Sequence, residues 1–100
     1  MSDMTVGVCR ITLRLPENGS LKGKRQLIRS VTARLRNKFN VAVAEVEDND
    51  RWQIATIGVT CVSNDARHAR EQLDRVVDFI QRSRLDAELL ESEIEVSQAF

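Results

Sequence analysis

The sequence predicts an α+β domain of four strands and two helices in the order strand, helix, strand, strand, helix, strand. Apolar and polar residues alternate, with the period typical of half-buried strands, over 5–15, 40–47, 52–62 and after Glu88. Two longer segments repeat apolar residues every three to four positions, as amphipathic helices do: 20–39 and the segment after Asn64. Because two right-handed crossovers in this order build a ferredoxin-like sandwich, we expect an antiparallel sheet of order 4-1-3-2 with both helices on one face.

The first strand and the first helix have the clearest patterns. The strand sends five small or apolar side chains to one face and three polar ones to the other, namely Gly7, Cys9, Ile11, Leu13 and Leu15 against Arg10, Thr12 and Arg14. Turn-forming residues at 16–19 precede the helix, and Ser20 is its expected N-cap. The apolar residues of the helix fall within an arc of about 120°; they are Leu21, Leu27, Ile28, Val31, Leu35 and Phe39.

The second half of the chain has weaker signals. An acidic turn at 47–50 separates two strands, and a shift of apolar phase predicts a bulge or twist near Ala55 and Thr56. We expect Trp52 to cover the edge of the core and Asn64 to cap the second helix. That helix and the last strand each direct one apolar face inward: Ala66, Ala69, Leu73, Val76, Val77 and Ile80, then Leu90, Ile94 and Val96.

The length and composition of the chain limit the class of protein it can belong to. One hundred residues with 42% apolar side chains predict a single domain over 1–100, and the formal net charge is zero. The two cysteines lie in apolar runs without a C-x-x-C spacing, which predicts buried thiols. The sequence shows neither a signal peptide nor a membrane-length apolar run, so we expect a cytoplasmic protein with no membrane partner.

The start of the first helix carries cations where acids are favoured. The positive end of a helix dipole prefers Asp or Glu, yet 18–40 contains seven basic residues and no acidic one. One hypothesis is an anion site formed by the first-turn N–H groups and nearby cations. The other is internal neutralisation by the acidic turn at 47–50, which this fold brings to the same end of the sheet. The residues of the predicted anion site are Lys22, Gly23, Lys24 and Arg25.

Four of the cations on this helix lie within about 60° of one another, on the flank of the apolar arc. We call them the basic stripe: Lys22, Arg25, Arg29 and Arg36. A stripe with helical spacing suits a phosphate backbone. The alternative is a solvated face whose long stems cover the apolar rim. Such faces usually carry acids at i+4, and this helix has none, which favours binding.

Other classes of site are excluded or weak. The chain lacks a P-loop, because Gly19 and Gly23 are one residue too close and Arg25 replaces the hydroxyl that would hold magnesium. His68 falls away from the apolar face of the second helix, so we expect it to be exposed, and as the only histidine it predicts no metal site. No nucleophile–base pair is visible, and we therefore predict neither catalytic residues, nor a cofactor, nor enzyme activity.

The open face of the sheet lacks the aromatic residues on which bases stack. No aromatic residue lies in the middle of the first or third strand. The last strand instead carries a row of acids that should pair with the polar face of the first strand: Glu91, Glu93 and Glu95. Any RNA should therefore bind through helices and loops, and we expect no reading of DNA sequence.

Several segments together resemble the bacterial YlxP-like family (domain of unknown function 503) over nearly the whole chain. These segments are Ser20-Leu21-Lys22-Gly23-Lys24-Arg25, Phe39-Asn40-Val41-Ala42-Val43-Ala44-Glu45-Val46, Trp52-Gln53, Asn64-Asp65 and Arg67-His68. The resemblance implies a ferredoxin-like fold. It also implies a gene neighbourhood near translation-initiation and ribosome-maturation factors, with no established activity.

These observations lead to one leading hypothesis and two alternatives. The leading hypothesis is a non-enzymatic module that binds RNA or a ribosomal particle, with phosphate contacts from the helix start and the basic stripe. The first alternative is a protein–protein or homodimerisation module that uses the strand edges and the open sheet face. The second is a binder of a small phosphorylated ligand at the loop before the first helix, which would need a concave surface beside Gly23.

Overall fold

The computed structural model describes residues 3–47, 50–83 and 85–100. Its elements follow the predicted order, and their bounds are β1 Thr5–Arg14, α1 Leu21–Lys38, β2 Ala42–Glu47, β3 Ile54–Ser63, α2 Ala66–Arg82 and β4 Glu88–Gln98. The four strands form one sheet of order β2-β3-β1-β4, and each neighbouring pair is antiparallel. This arrangement confirms the predicted ferredoxin-like α+β fold.

The core lies between the sheet and the two helices. Alternate residues of β1 and β3 point into it, because a pleated strand directs successive side chains to opposite faces. Leu35 on α1 and Leu73 on α2 are fully buried against this surface. α1 packs mainly on β2, whereas α2 packs on β4, β1 and β3. The other face of the sheet carries no helix and is called the open face below.

Two bulges interrupt the strand pairing. In β4, Glu91 lies opposite Thr12 and Leu89 lies opposite Leu13, so Leu90 has no partner on β1. Leu90 is consequently 51% exposed, and Leu89 occupies the more buried position that the sequence had assigned to Leu90.

The second bulge is in β2 rather than in β3. Glu45 lies opposite Ile57 and Glu47 lies opposite Thr56, which leaves Val46 as the additional residue. The irregularity predicted near Thr56 therefore exists, but it belongs to the neighbouring strand.

Two local predictions are wrong. The N-cap of α2 is Asp65, whose Oδ1 accepts the Arg67 N–H at 2.9 Å, and not Asn64. Trp52 precedes β3 and is 54% exposed, so it does not cover the edge of the core. Its carbonyl accepts a hydrogen bond from Asn18 and ties this loop to the one before α1. Across the described ranges, none of the helices has the length and apolarity needed to cross a bilayer.

Candidate nucleic-acid interface on the first helix

Lys24 does not reach solvent. It is 1% exposed, its Nζ lies 3.1 Å from Oε2 of Glu45 on β2, and it donates to the carbonyl of Ile54 at 3.2 Å. Glu45 Oε2 makes no well-aligned hydrogen bond within the described residues, so its negative charge is compensated by the ion pair with Lys24. The prediction that Lys24 contacts phosphate is therefore wrong, because a ligand outside the protein cannot reach its ammonium group.

The sequence contained a signal for this burial. At 100° per residue, Lys24 falls at the centre of the apolar arc of α1, on the same line as the buried Val31 and Leu35. Glu45 likewise alternates with the buried Val43 and so faces the core side of β2. Internal neutralisation thus occurs at Lys24, but the acid lies within β2, while the predicted partner Asp48 falls outside the described residues.

Two backbone N–H groups at the start of α1 are satisfied internally. Ser20 is the N-cap, as predicted, and its Oγ accepts the Gly23 N–H at 3.0 Å. Its carbonyl accepts the Lys24 N–H at 3.2 Å. These two donors are therefore not directed at a ligand, contrary to the prediction of an anion site built on them.

Gly23 is required by close packing. A Cβ at this position would collide with the side-chain oxygen of Asn18. The Asn18 side chain cannot move away cheaply, since its amide donates to the carbonyls of Ser20 and Trp52. Gly23 therefore lets the loop before α1 pack against the helix and does not serve as an approach for a ligand.

The basic stripe is exposed along its whole length. Its four members, Lys22, Arg25, Arg29 and Arg36, all lie on the surface of α1. No acidic side chain in the described part of the chain comes within ion-pairing distance of any of them. The stripe extends for about 21 Å along the helix, at 1.5 Å per residue. It is thus a continuous line of cations without internal neutralisation by the described acids.

The opposite flank of α1 faces the second helix. Lys38 Nζ lies 5.0 Å from the centre of the Phe79 ring, and Phe39 packs edge-on against the same ring. Because Lys38 is about 160° from Lys22 around the helix, the basic stripe lies on the side of α1 that faces away from α2. This side is accessible to a long partner.

A concave surface of about 490 Å³ lies beside Gly23. The charged side chains that line it are the acids Glu17 and Asp86, and the basic stripe does not contribute to it. Carboxylates at this position oppose the binding of an anion. The concavity required by the small-ligand hypothesis exists, but its charge does not suit a phosphorylated ligand.

A family model described as "Protein of unknown function (DUF503)" matches residues 6–94. The chain belongs to the DUF503 family. The "Uncharacterized protein YlxP" of Bacillus subtilis (strain 168) is 33% identical to it over 75 residues, which cover 75% of this chain and 82% of the relative. The resemblance seen in the sequence is thereby confirmed. Neither description includes an activity.

The open face of this DUF503 protein carries both ion-paired and apolar side chains. Arg10 lies between two acids, with N–O distances of 3.2 Å to Glu47 and 2.5 Å to Glu93. This confirms the predicted ion pairing across β1 and β4, and Arg10 lowers the pKa of Glu93 through a hydrogen bond and charge attraction. Next to this ion-paired cluster, the face carries exposed apolar side chains, among them Val8, Val46 and Val62.

The thiols of the DUF503 chain are buried, as predicted. Burial, with a smaller contribution from the Asp74 carboxylate, raises the pKa of Cys9 from its ordinary 9.0 to about 11. Burial also raises the pKa of Cys61, and the Gly7 backbone acts in the opposite direction. Protonated thiols are poor nucleophiles. His68 is exposed, and over the described ranges no three His, Cys, Asp or Glu side chains form a group that could hold a metal ion.

Proposed function

We propose that this protein is a cytoplasmic, non-enzymatic module that binds RNA, free or within a ribosomal particle, through the basic stripe of α1. The observation that supports this proposal is the stripe itself, with four exposed cations on one 60° sector and no described acid in ion-pairing contact. Holding four cations close together without counter-charges costs free energy that a polyanion would relieve.

The shape of the stripe favours a nucleic-acid backbone over a small anion. A length of about 21 Å spans several phosphates, whereas a single phosphate would need converging donors. The first-turn N–H groups of Gly23 and Lys24 are engaged by Ser20, so convergence of that kind is weak here. The protein supplies no aromatic platform on its sheet, so binding should depend on charge and shape rather than on base identity.

The test compares two double variants that remove equal charge from different helices. Arg25→Gln/Arg29→Gln neutralises the stripe, and Arg67→Gln/Arg70→Gln neutralises two exposed arginines of α2. Glutamine retains helix propensity, so the fold should be unaffected in both. Binding of a single-stranded RNA and of purified ribosomal subunits is measured between about 50 and 200 mM salt.

The stripe variant should bind single-stranded RNA more weakly than the wild type. A plot of the logarithm of its binding constant against the logarithm of salt concentration should also be less steep by about 1.4, because each of the two lost phosphate contacts contributes about 0.7 to the slope. The α2 variant should match the wild type. Equal losses in both variants would mean that only overall charge matters. Absence of wild-type binding at low salt would exclude the function.

A second candidate function is homodimerisation through the exposed apolar side chains of the open face. Val8 and Val46 are each about half exposed and line a shallow groove of about 300 Å³ over Gly58, and Val62 is exposed on the same strand as Gly58. These apolar side chains can pack against the same side chains of a second copy across a two-fold axis. Sedimentation velocity should show a dimer that Val8→Lys/Val62→Lys converts to a monomer. A wild-type protein that stays monomeric at about 100 µM would exclude this function, since the dissociation constant of the dimer would then be higher than that concentration.

The small-phosphate alternative has less support. The concave surface beside Gly23 presents Glu17 and Asp86, and Lys24 is committed to Glu45.

A further inference from the structure

The free edge of β4 is the longest unpaired backbone surface of the described sheet. β4 has eleven residues, Glu88–Gln98, and pairs with β1 on one side only. The other edge strand, β2, has six residues. An edge strand presents a row of backbone N–H and C=O groups that another strand can pair with. β4 therefore offers a template for an added strand, and its side chains determine which strand fits.

On the open face, this edge carries an acidic row. Glu91, Glu93 and Glu95 lie opposite Thr12, Arg10 and Val8 of β1. Among the described residues, Arg10 is the cation in ion-pairing contact with this row, and it contacts Glu93. The row therefore holds more negative charge than β1 compensates.

On the helix side, the same edge carries the apolar Ile94 and Val96, preceded by Ser92 opposite Ile11. Ile94 and Val96 are only partly buried, because α2 does not cover the outer side of β4 completely. Leu90, the bulge residue, is 51% exposed. The two faces of the edge thus differ, with acids on one side and apolar side chains on the other.

We propose that the β4 edge binds an extended segment of a partner protein in which basic and apolar residues alternate. Main-chain hydrogen bonds would extend the sheet by one strand, in the mode known as β-augmentation. Neighbouring strands lie about 4.8 Å apart, so Lys or Arg side chains on the added strand reach the acidic row. The intervening apolar side chains cover Ile94 and Val96. The bound segment should alternate basic and apolar residues because β4 directs its acids to one face and its apolar side chains to the other.

The charge of the edge argues against other occupants. A second copy pairing β4 with β4 in antiparallel fashion would place glutamates opposite glutamates, which is destabilising. A nucleic acid would be repelled by the same row. The proposal is independent of RNA binding, since it uses a different edge of the molecule and the opposite sign of charge.

The test uses two labelled peptides of identical composition. One is Lys-Val-Lys-Ile-Lys-Val-Lys, and the other has the four lysines followed by the three apolar residues. Affinity is measured by fluorescence anisotropy, and hydrogen exchange locates the bound peptide. We expect the alternating peptide to bind more tightly than the block peptide and to slow amide exchange within β4.

Protein variants separate the acidic row from general charge. Glu91→Gln/Glu95→Gln leaves the Arg10–Glu93 pair in place and should weaken binding of the alternating peptide by about tenfold. Glu17→Gln/Glu71→Gln removes the same charge from exposed sites elsewhere and should have little effect. Equal affinity for both peptides, no loss in the first variant, or protection outside β4 would each overturn the proposal.

Discussion

Replacing Lys24 by methionine should destabilise the protein by about 3 kcal/mol. Breaking a buried ion pair by removing one partner typically costs about 3–5 kcal/mol, because the remaining charge is left in the interior without compensation. Here the remaining charge would be that of Glu45, whose side chain is 21% exposed. Water therefore relieves part of the cost, which places the expected value at the lower end. Methionine fills the volume of the lysine stem, so no large cavity is created.

The companion variants make this reasoning testable. Glu45→Met leaves the ammonium of a side chain that is 1% exposed and should cost at least as much. The double variant Lys24→Met/Glu45→Met removes both charges and should return to within about 1 kcal/mol of the wild type, or exceed it. The double-mutant cycle should thus give an interaction energy above about 2 kcal/mol.

The measurement is urea denaturation followed by far-UV circular dichroism, with the slope m checked for each variant. Unchanged slopes would show that the variants share one denatured state. Additive single-variant effects, or a Lys24→Met variant as stable as the wild type, would refute the view that this pair joins α1 to β2.

Four further predictions concern the same core and helix start. Ser20→Ala should cost about 1 kcal/mol through loss of the cap to the Gly23 N–H, measured by urea denaturation. Gly23→Ala should cost about 1–2 kcal/mol by the same assay, because its collision with Asn18 outweighs the gain in helix propensity; a neutral or stabilising effect would contradict this. A thiol reagent at pH 8 should label neither Cys9 nor Cys61 until urea unfolds the chain. Because the folded state keeps the Cys9 proton up to about pH 11, stability should fall as pH rises from 9 to 11, by up to about 1.4 kcal/mol per pH unit, and Cys9→Ala should reduce this fall.

Much of the fold could be predicted because its signals are local. The alternation in β1 survives in the structure, with Ile11 and Leu13 buried and Arg10 exposed. Ser20 caps α1 because the cap depends only on residues up to Gly23. These features require no knowledge of what lies across the sheet.

The candidate site was predicted less completely. The basic stripe is exposed as expected, since its angular position on α1 follows from helix geometry. Lys24 was assigned to the site because its neighbours in sequence are basic, although its angle places it among the apolar residues. Helical angle is the better guide at such a position, because burial is decided by the face of the helix and not by the adjacent residue.

The sequence by itself determined the order of elements, the cap of the first helix and the sector that carries the cations. Only the tertiary structure decided which charges are neutralised. Lys24 pairs with Glu45 because α1 packs on the sheet. Arg10 lies between Glu47 and Glu93 because the strand register brings these three residues together. Local periodicity depends on neighbours along the chain, whereas the partner of a charge depends on residues far away in sequence. Which cations of α1 and which acids of β4 remain uncompensated is therefore decided only when the chain is folded.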